Sequence, residues 1–122
     1  MIAMTEKMQK KSMSRPEDTR SFEKGQVDLV TIGEVTFGRA TFQPGWKWSN
    51  CVKPLAHTES CEASHLSYHI SGRLRVRMVD GTEEEFGPGD VSFIPPGHDA
   101  WVVGSKPVVV LDISGMRDYA KR

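Results

Sequence analysis

Several things that would fix a class at once are scarce in this chain. Its 122 residues include two cysteines, Cys51 and Cys61, too few for the disulfide framework of a small secreted scaffold. Both are expected to stay reduced in a cytoplasmic protein. No stretch approaches the roughly 20 apolar residues of a membrane helix. The opening MIAMTEKMQKKSM has no apolar run after its charges, so no secretory leader is expected. Lys plus Arg equals Asp plus Glu at 16 each, a formal net charge of zero, which argues against a nucleic-acid or membrane surface as partner. No helical period and no solenoid-type repeat stands out.

What is present reads as strands. A hydrophobic fraction of 38% with 11 glycines is enough for one domain with a workable core. Residues 1–24 are polar and charged without a hydrophobic period, and are expected to form a flexible tail. The stretch 25–115 is the folded domain, and 116–122 a short C-terminal tail with at most a turn near 117–121. VDLVTI and VTFGRATF are rich in β-branched and aromatic residues. Pro54 and polarity mark residues 46–63 as a long loop or irregular strand. LSYHISG is a strand ending in a turn. In RLRVRMV, Leu74, Val76 and Met78 alternate with Arg73, Arg75 and Arg77, as in a half-buried strand. Asp80-Gly81 is a hairpin signal with TEEEF returning, so the arginine row faces Glu83, Glu84 and Glu85 as cross-strand charge pairs. VSFIP, WVVG and VVVLDI complete eight or nine short strands, an all-β pattern of sandwich, jelly-roll or barrel type.

The stretch 44–112 resembles a cupin. Its clearest match is GPGDVSFIPPGH, residues 87–98: Gly89, five residues, then Pro95-Pro96-Gly97, as in the second cupin motif. The closing half of the first motif is matched by HLSYHISG, the RLRVRM strand and the Asp80-Gly81 hairpin. The resemblance implies a jelly-roll (double-stranded β-helix) barrel, often a homodimer and often holding a metal. The ligand positions are substituted. His65 stands where the family has Glu, Glu59 and Cys61 stand at the two positions of the His-x-His pair, and Ala100 takes the second-motif His position, with His98 two residues earlier.

His57, Glu59, Cys61, His65 and His69 share one parity and would share a face on a continuous strand. Cys61, His65 and His69 also have the four-residue spacing of a helix face, so spacing alone leaves both open. If that face points inward, it offers ligands for a divalent transition metal, Zn, Fe or Mn. The expected set is Cys61, His65 and His98, with Glu59 as a possible fourth. The bland alternative has the histidines hydrogen-bonded and Cys61 packed as a small hydrophobe; for His57 and His69 that reading is preferred. Asp99 could orient His98 or cap a turn. Candidates for contact with a small-molecule ligand are Trp46, Trp48, Tyr68, His69 and Trp101, each of which could also be structural. Three functions compete: a small-molecule-binding sensor or accessory barrel with a metal, a metal-dependent enzyme of dioxygenase or isomerase type, and a metal-free structural barrel. A homodimer is expected, with residues 20–32 as an arm that could add a strand to its partner.

Overall fold

The structure, a computed structural model, describes residues 7–117, 119 and 120. Their nine strands are β1 (Asp18–Phe22), β2 (Gly25–Ile32), β3 (Val35–Phe42), β4 (His65–Ser71), β5 (Arg73–Met78), β6 (Glu83–Phe86), β7 (Val91–Ile94), β8 (His98–Val103) and β9 (Val108–Asp112). Two short helices, α1 (Trp48–Cys51) and α2 (Lys53–Ala56), lie between β3 and β4. All pairings are antiparallel, in a six-stranded sheet of order β1-β2-β3-β9-β4-β7 and a three-stranded sheet of order β6-β5-β8. The sheets do not close into one hydrogen-bonded ring. The core between them takes Val27, Ala40, Phe42, Val108 and Val110 from one and Leu74, Val76 and Ala100 from the other.

Most strands follow from local sequence. On β5, Leu74 and Val76 are buried, while Arg73 and Arg75 form ion pairs with Glu85 and Glu83 across the hairpin. The Asp80-Gly81 turn has Gly81 at φ +93°, a conformation that side chains with a Cβ resist. Residues 46–63 differ from the loop or irregular strand expected. Each helix is four residues long, one turn, too short to leave a period in the sequence. Pro54 sits in the first turn of α2, where no backbone donor is needed. Asp99 Oδ1 accepts from Ser49 N at the start of α1 and from Ala100 N, so it braces that helix and does not orient His98.

The termini are packed where they are described. β1 lies inside the stretch read as a tail, and Arg20 on it donates to the carbonyls of Met116 and Tyr119. Met116, Tyr119 and Ala120 are buried in turn. Residues 1–6, 118, 121 and 122, on which parts of both expected tails and of the turn near 117–121 fall, lie outside the described residues.

β4 and β7 invert the usual alternation. On β4 the inward residues are His65, Ser67 and His69, and the outward ones are Leu66, Tyr68 and Ile70. Its neighbour β7 buries Ser92 and Ile94 and exposes Val91 and Phe93. A strand whose polar side faces the core and whose apolar side faces out is not optimised for solubility alone. The inward side builds the site described next.

Candidate metal centre

Three chain segments bring Cys61, His65 and His98 together. The Pro95-Pro96-Gly97 turn, with Gly97 at φ +92°, returns the chain so that Gly97 N donates to Cys61 O at 2.7 Å and Cys61 N donates to His98 O at 2.8 Å. That isolated antiparallel bridge pins His98 to Cys61. His65 enters from the start of β4. Their ligand atoms all lie within 4.8 Å of one another, and all three residues are buried.

Each imidazole is oriented by its other nitrogen. His98 Nδ1 is 2.8 Å from the Pro95 carbonyl, which can only accept, so Nδ1 carries a proton and Nε2 is the nitrogen left to face the centre. His65 Nδ1 donates to Asp112 Oδ2 at 3.0 Å, and His65 Nε2 lies 3.7 Å from Cys61 Sγ. Asp112 is fully buried and is held by Ser67 Oγ, Ser114 N and Gly115 N as well. Gly115 is small by necessity, since an added Cβ would run into the Ser64 carbonyl and His65 Nδ1.

The electrostatics match. Burial pushes the Cys61 thiol up, but hydrogen bonds from His65 and His98 outweigh it and bring it down to about 6. Burial would lower His65, yet Asp112 and Cys61 raise it to about 9. Asp112, despite burial, is held below the usual carboxylate range by His65, Gly115 N and Ser67. Without a metal the pair is therefore a thiolate facing an imidazolium at neutral pH. Tyr119, edge-on to His65 at 5.6 Å, is pushed well up by burial and stays a neutral phenol.

The set fits a transition metal. One sulfur and two imidazole nitrogens are ligands of the softer divalent ions, and a carboxylate and a carbonyl behind the imidazoles are the supports such ligands take. Ordinary Zn–S and Zn–N bonds at a tetrahedral angle place S and N about 3.5 Å apart; Cys61 Sγ and His65 Nε2 are 3.7 Å apart.

The other candidates fall elsewhere. Glu59, expected as a possible fourth ligand, is turned to solvent and ion-paired with Lys53 at 3.0 Å, because the chain before Cys61 is not a continuous strand. For the same reason His57, at a left-handed φ of 60° after α2, is exposed. Tyr68 points outward on β4, and Trp101 lies on the outer side of β8 under the Lys47 ammonium, 5.3 Å from its ring centre; neither lines the interior. His69 does, but Nε2 is hydrogen-bonded to Ser92 Oγ at 2.8 Å, the ring stacks on Phe86, and burial lowers its pKa. Trp46 and Trp48 are both buried. Sequence reasoning missed Asp112 and Tyr119. Asp112 had a signal, an acid sharing parity with Val108 and Val110 on an apolar strand; Tyr119 had none.

Two spaces adjoin the centre. An inner chamber of about 40 Å³ is lined by His65, His98, His69, Trp46 and Ala100, among others. Ala100 is the residue at the second-motif His position. An outer cleft of about 530 Å³ is lined by Cys61, Leu55, Arg117 and others. Trp48 and Tyr119 border both.

An open two-sheet β-structure with a His/Cys cluster inside defines a small barrel-type domain with a candidate metal centre. Residues 38–114 match the cupin domain, and the chain belongs to the cupin family. No curated protein matches the sequence. Solved structures with the same fold include oxalate decarboxylase from Lactobacillus farciminis as a formate complex, at 20% identity and a TM-score of 0.59 over 84% of this chain and 32% of that one. KdgF from Halomonas sp. matches at 20% identity and a TM-score of 0.58, over 84% of this chain and 91% of that one. A protein of unknown function from Rhizobium leguminosarum matches at 19% identity and 0.59, over 90% and 98%. This chain thus spans about a third of the oxalate decarboxylase. At these identities the likeness concerns the fold.

Proposed function

We propose that this chain is a metal-binding cupin module that holds a divalent transition metal through Cys61, His65 and His98 and binds a small molecule in the adjoining cleft, as a sensor or accessory domain. One observation carries the reading: three buried ligand atoms of the right type converge within 4.8 Å. The outer cleft, about 530 Å³, has the size of a small-molecule pocket. Zinc and iron suit a thiolate better than manganese does.

Three protein ligands favour a second reading as well. A closed structural zinc site takes four, whereas a three-ligand site keeps a position for water or substrate. A metal there supplies charge to polarise a bound group or to acidify water. The chain's own residues would fix that geometry: Asp112 and the Pro95 carbonyl orient the imidazoles, and Tyr119 and Trp48 wall the approach. This is the metal-dependent enzyme alternative.

Metal content of protein purified without chelator tests the proposal. About one equivalent, lost in Cys61→Ala and His65→Ala variants that still fold, supports it. Metal-free protein that takes up no zinc, iron or manganese would sink it and favour the structural barrel. Turnover of a screened substrate separates enzyme from sensor.

Self-association as a homodimer is part of the proposal. β2 is paired on both sides within its own chain, so of the 20–32 arm only β1 offers a free edge. The exposed Leu66, Tyr68, Ile70, Val91 and Phe93 form an apolar outer face of the kind that marks an interface.

A further inference from the structure

The segment after β9 passes the centre without joining either sheet. On it Tyr119 is buried edge-on to His65, with 5.6 Å between ring centres, and borders both the inner chamber and the outer cleft. Met116, also buried, lies against β3 at Gly38, where an added Cβ would collide with its Cβ and Cγ. These two side chains form a strap that closes one flank of the centre.

Few bonds tie the strap down. Up to Gly115 the chain is anchored: Ile113 N donates to Leu66 O, and Ser114 N and Gly115 N donate to Asp112 Oδ1. Past Gly115, among the described residues, two hydrogen bonds reach another element, and both come from one guanidinium. Arg20 Nη1 donates to Tyr119 O at 3.0 Å and to Met116 O at 3.4 Å. Asp18 Oδ2, 3.2 Å from Arg20 Nε, aims that guanidinium. Phe22 on the same strand meets the Tyr119 ring edge-on at 6.1 Å, so β1 holds both the backbone and the ring of the strap. Within the strap, Tyr119 N donates to Met116 O. A segment outside the sheets and held by so few hydrogen bonds opens more readily than the strands around it.

We infer that Arg20 latches the strap of Met116 and Tyr119 over the centre, and that release of this latch admits a metal, a chelator or a thiol reagent to Cys61 and His65. Arg20 is a positioning residue. Its hydrogen bonds go to Asp18, Met116 and Tyr119, none of them a metal ligand, and it acts through Tyr119. A latch has a kinetic signature. Loosening it speeds entry and exit alike and leaves the equilibrium affinity in place, whereas distorting the centre changes the affinity. The metal readout rests on the proposed metal centre; access to Cys61 in metal-free protein does not.

In metal-free protein, alkylation by iodoacetamide is followed at Cys61 and Cys51 by peptide mass spectrometry. His65 and His98 act on the Cys61 thiol and Arg20 does not, so a changed rate reports access. Cys51, buried in α1 and bordering neither space, is the control for general loosening. Arg20→Met, which keeps an unbranched side chain without donors, is expected to speed labelling of Cys61 about tenfold or more and to leave Cys51 unchanged. In zinc-loaded protein, removal by a chromophoric chelator and uptake from buffered zinc are both expected to quicken by about the same factor, with the affinity unmoved. Gly38→Ala, which pushes Met116 off β3, is expected to do the same and serves if Arg20→Met does not fold. Cys61 labelling unchanged in both variants overturns the inference, as does equal acceleration at Cys51 or an affinity that falls while uptake keeps its rate. A parent protein that takes up no zinc refutes the metal centre instead, and Cys61 labelling then decides the latch.

Discussion

Replacing Asp112 by asparagine would test the support behind the centre more sharply than removing a ligand. The carboxylate accepts from two side chains and two backbone amides. Asparagine has one oxygen and one NH2. With its oxygen toward Ser114 N and Gly115 N, the NH2 faces Ser67 and His65. The Ser67 hydroxyl can rotate to accept, but His65 Nδ1 can accept only by giving up its proton. The neutral ring then carries hydrogen on Nε2, the atom that faces Cys61, and cannot ligate. With the amide reversed, NH2 meets the two backbone donors instead. Either arrangement leaves about one buried donor without an acceptor, costing about 1–3 kcal/mol. Losing an imidazole's supporting partner typically costs about 10–100-fold in metal affinity. The lost carboxylate also lowers His65's proton affinity, which works the other way, so competition against a chromophoric chelator belongs near pH 9, where His65 is already titrating. The expected result is a folded protein with a modestly lower melting temperature and metal binding weakened at least tenfold. Equal affinity in parent and Asp112→Asn would refute the tautomer argument.

Metal binding between about pH 6 and about pH 9 should release about one proton, from His65, because Cys61 is already a thiolate there; calorimetry in buffers of different ionisation enthalpy measures it, and affinity should rise about tenfold per pH unit across the window. In the metal-free protein the same shifts set stability. The depressed Cys61 pKa contributes above its unfolded value of 9.0, and that contribution is lost as pH falls through about 6. The raised His65 pKa contributes below 6.5, and that is lost as pH rises through about 9. The two contributions change in opposite directions and nearly cancel, so melting temperature should stay nearly level from about pH 6.5 to about 10 and drop only slightly below about pH 6. A steep change between about pH 7 and 9 assigned to this pair would contradict it. Gly115→Ala should displace His65 and reduce metal content, while Glu59→Gln should leave it unchanged; equal effects from both would be hard to reconcile with the site. Leu66→Glu with Phe93→Glu should convert a dimer to monomer in light scattering, and an unaltered dimer would move the interface elsewhere.

The strands were legible wherever one face is apolar and the turn chemistry is local: β3 and β5 match VTFGRATF and RLRVRM, and the arginine–glutamate pairing across the hairpin follows from period two alone. The helices before β4 were not, because a single turn has no period and Pro54 reads as a breaker unless its place in the turn is known. At the site, His65 was legible as an inward residue of β4. Cys61 and His98 join it through a backbone bridge between segments far apart in sequence, which the motif spacing hinted at and parity could not prove. Parity failed at Glu59 and His57 because α2 and the following loop interrupt the strand on which it depends. Tyr119 reaches His65 only through long-range packing, held by Arg20 on β1, and no local pattern encodes that.

X-ray absorption at the metal edge of protein purified without chelator tests the central claim most directly. The account predicts one sulfur at about 2.3 Å and two imidazole nitrogens at about 2.0–2.1 Å for zinc, with the sulfur shell lost in Cys61→Ser. A first shell of oxygen and nitrogen only, unchanged by that substitution, would contradict it.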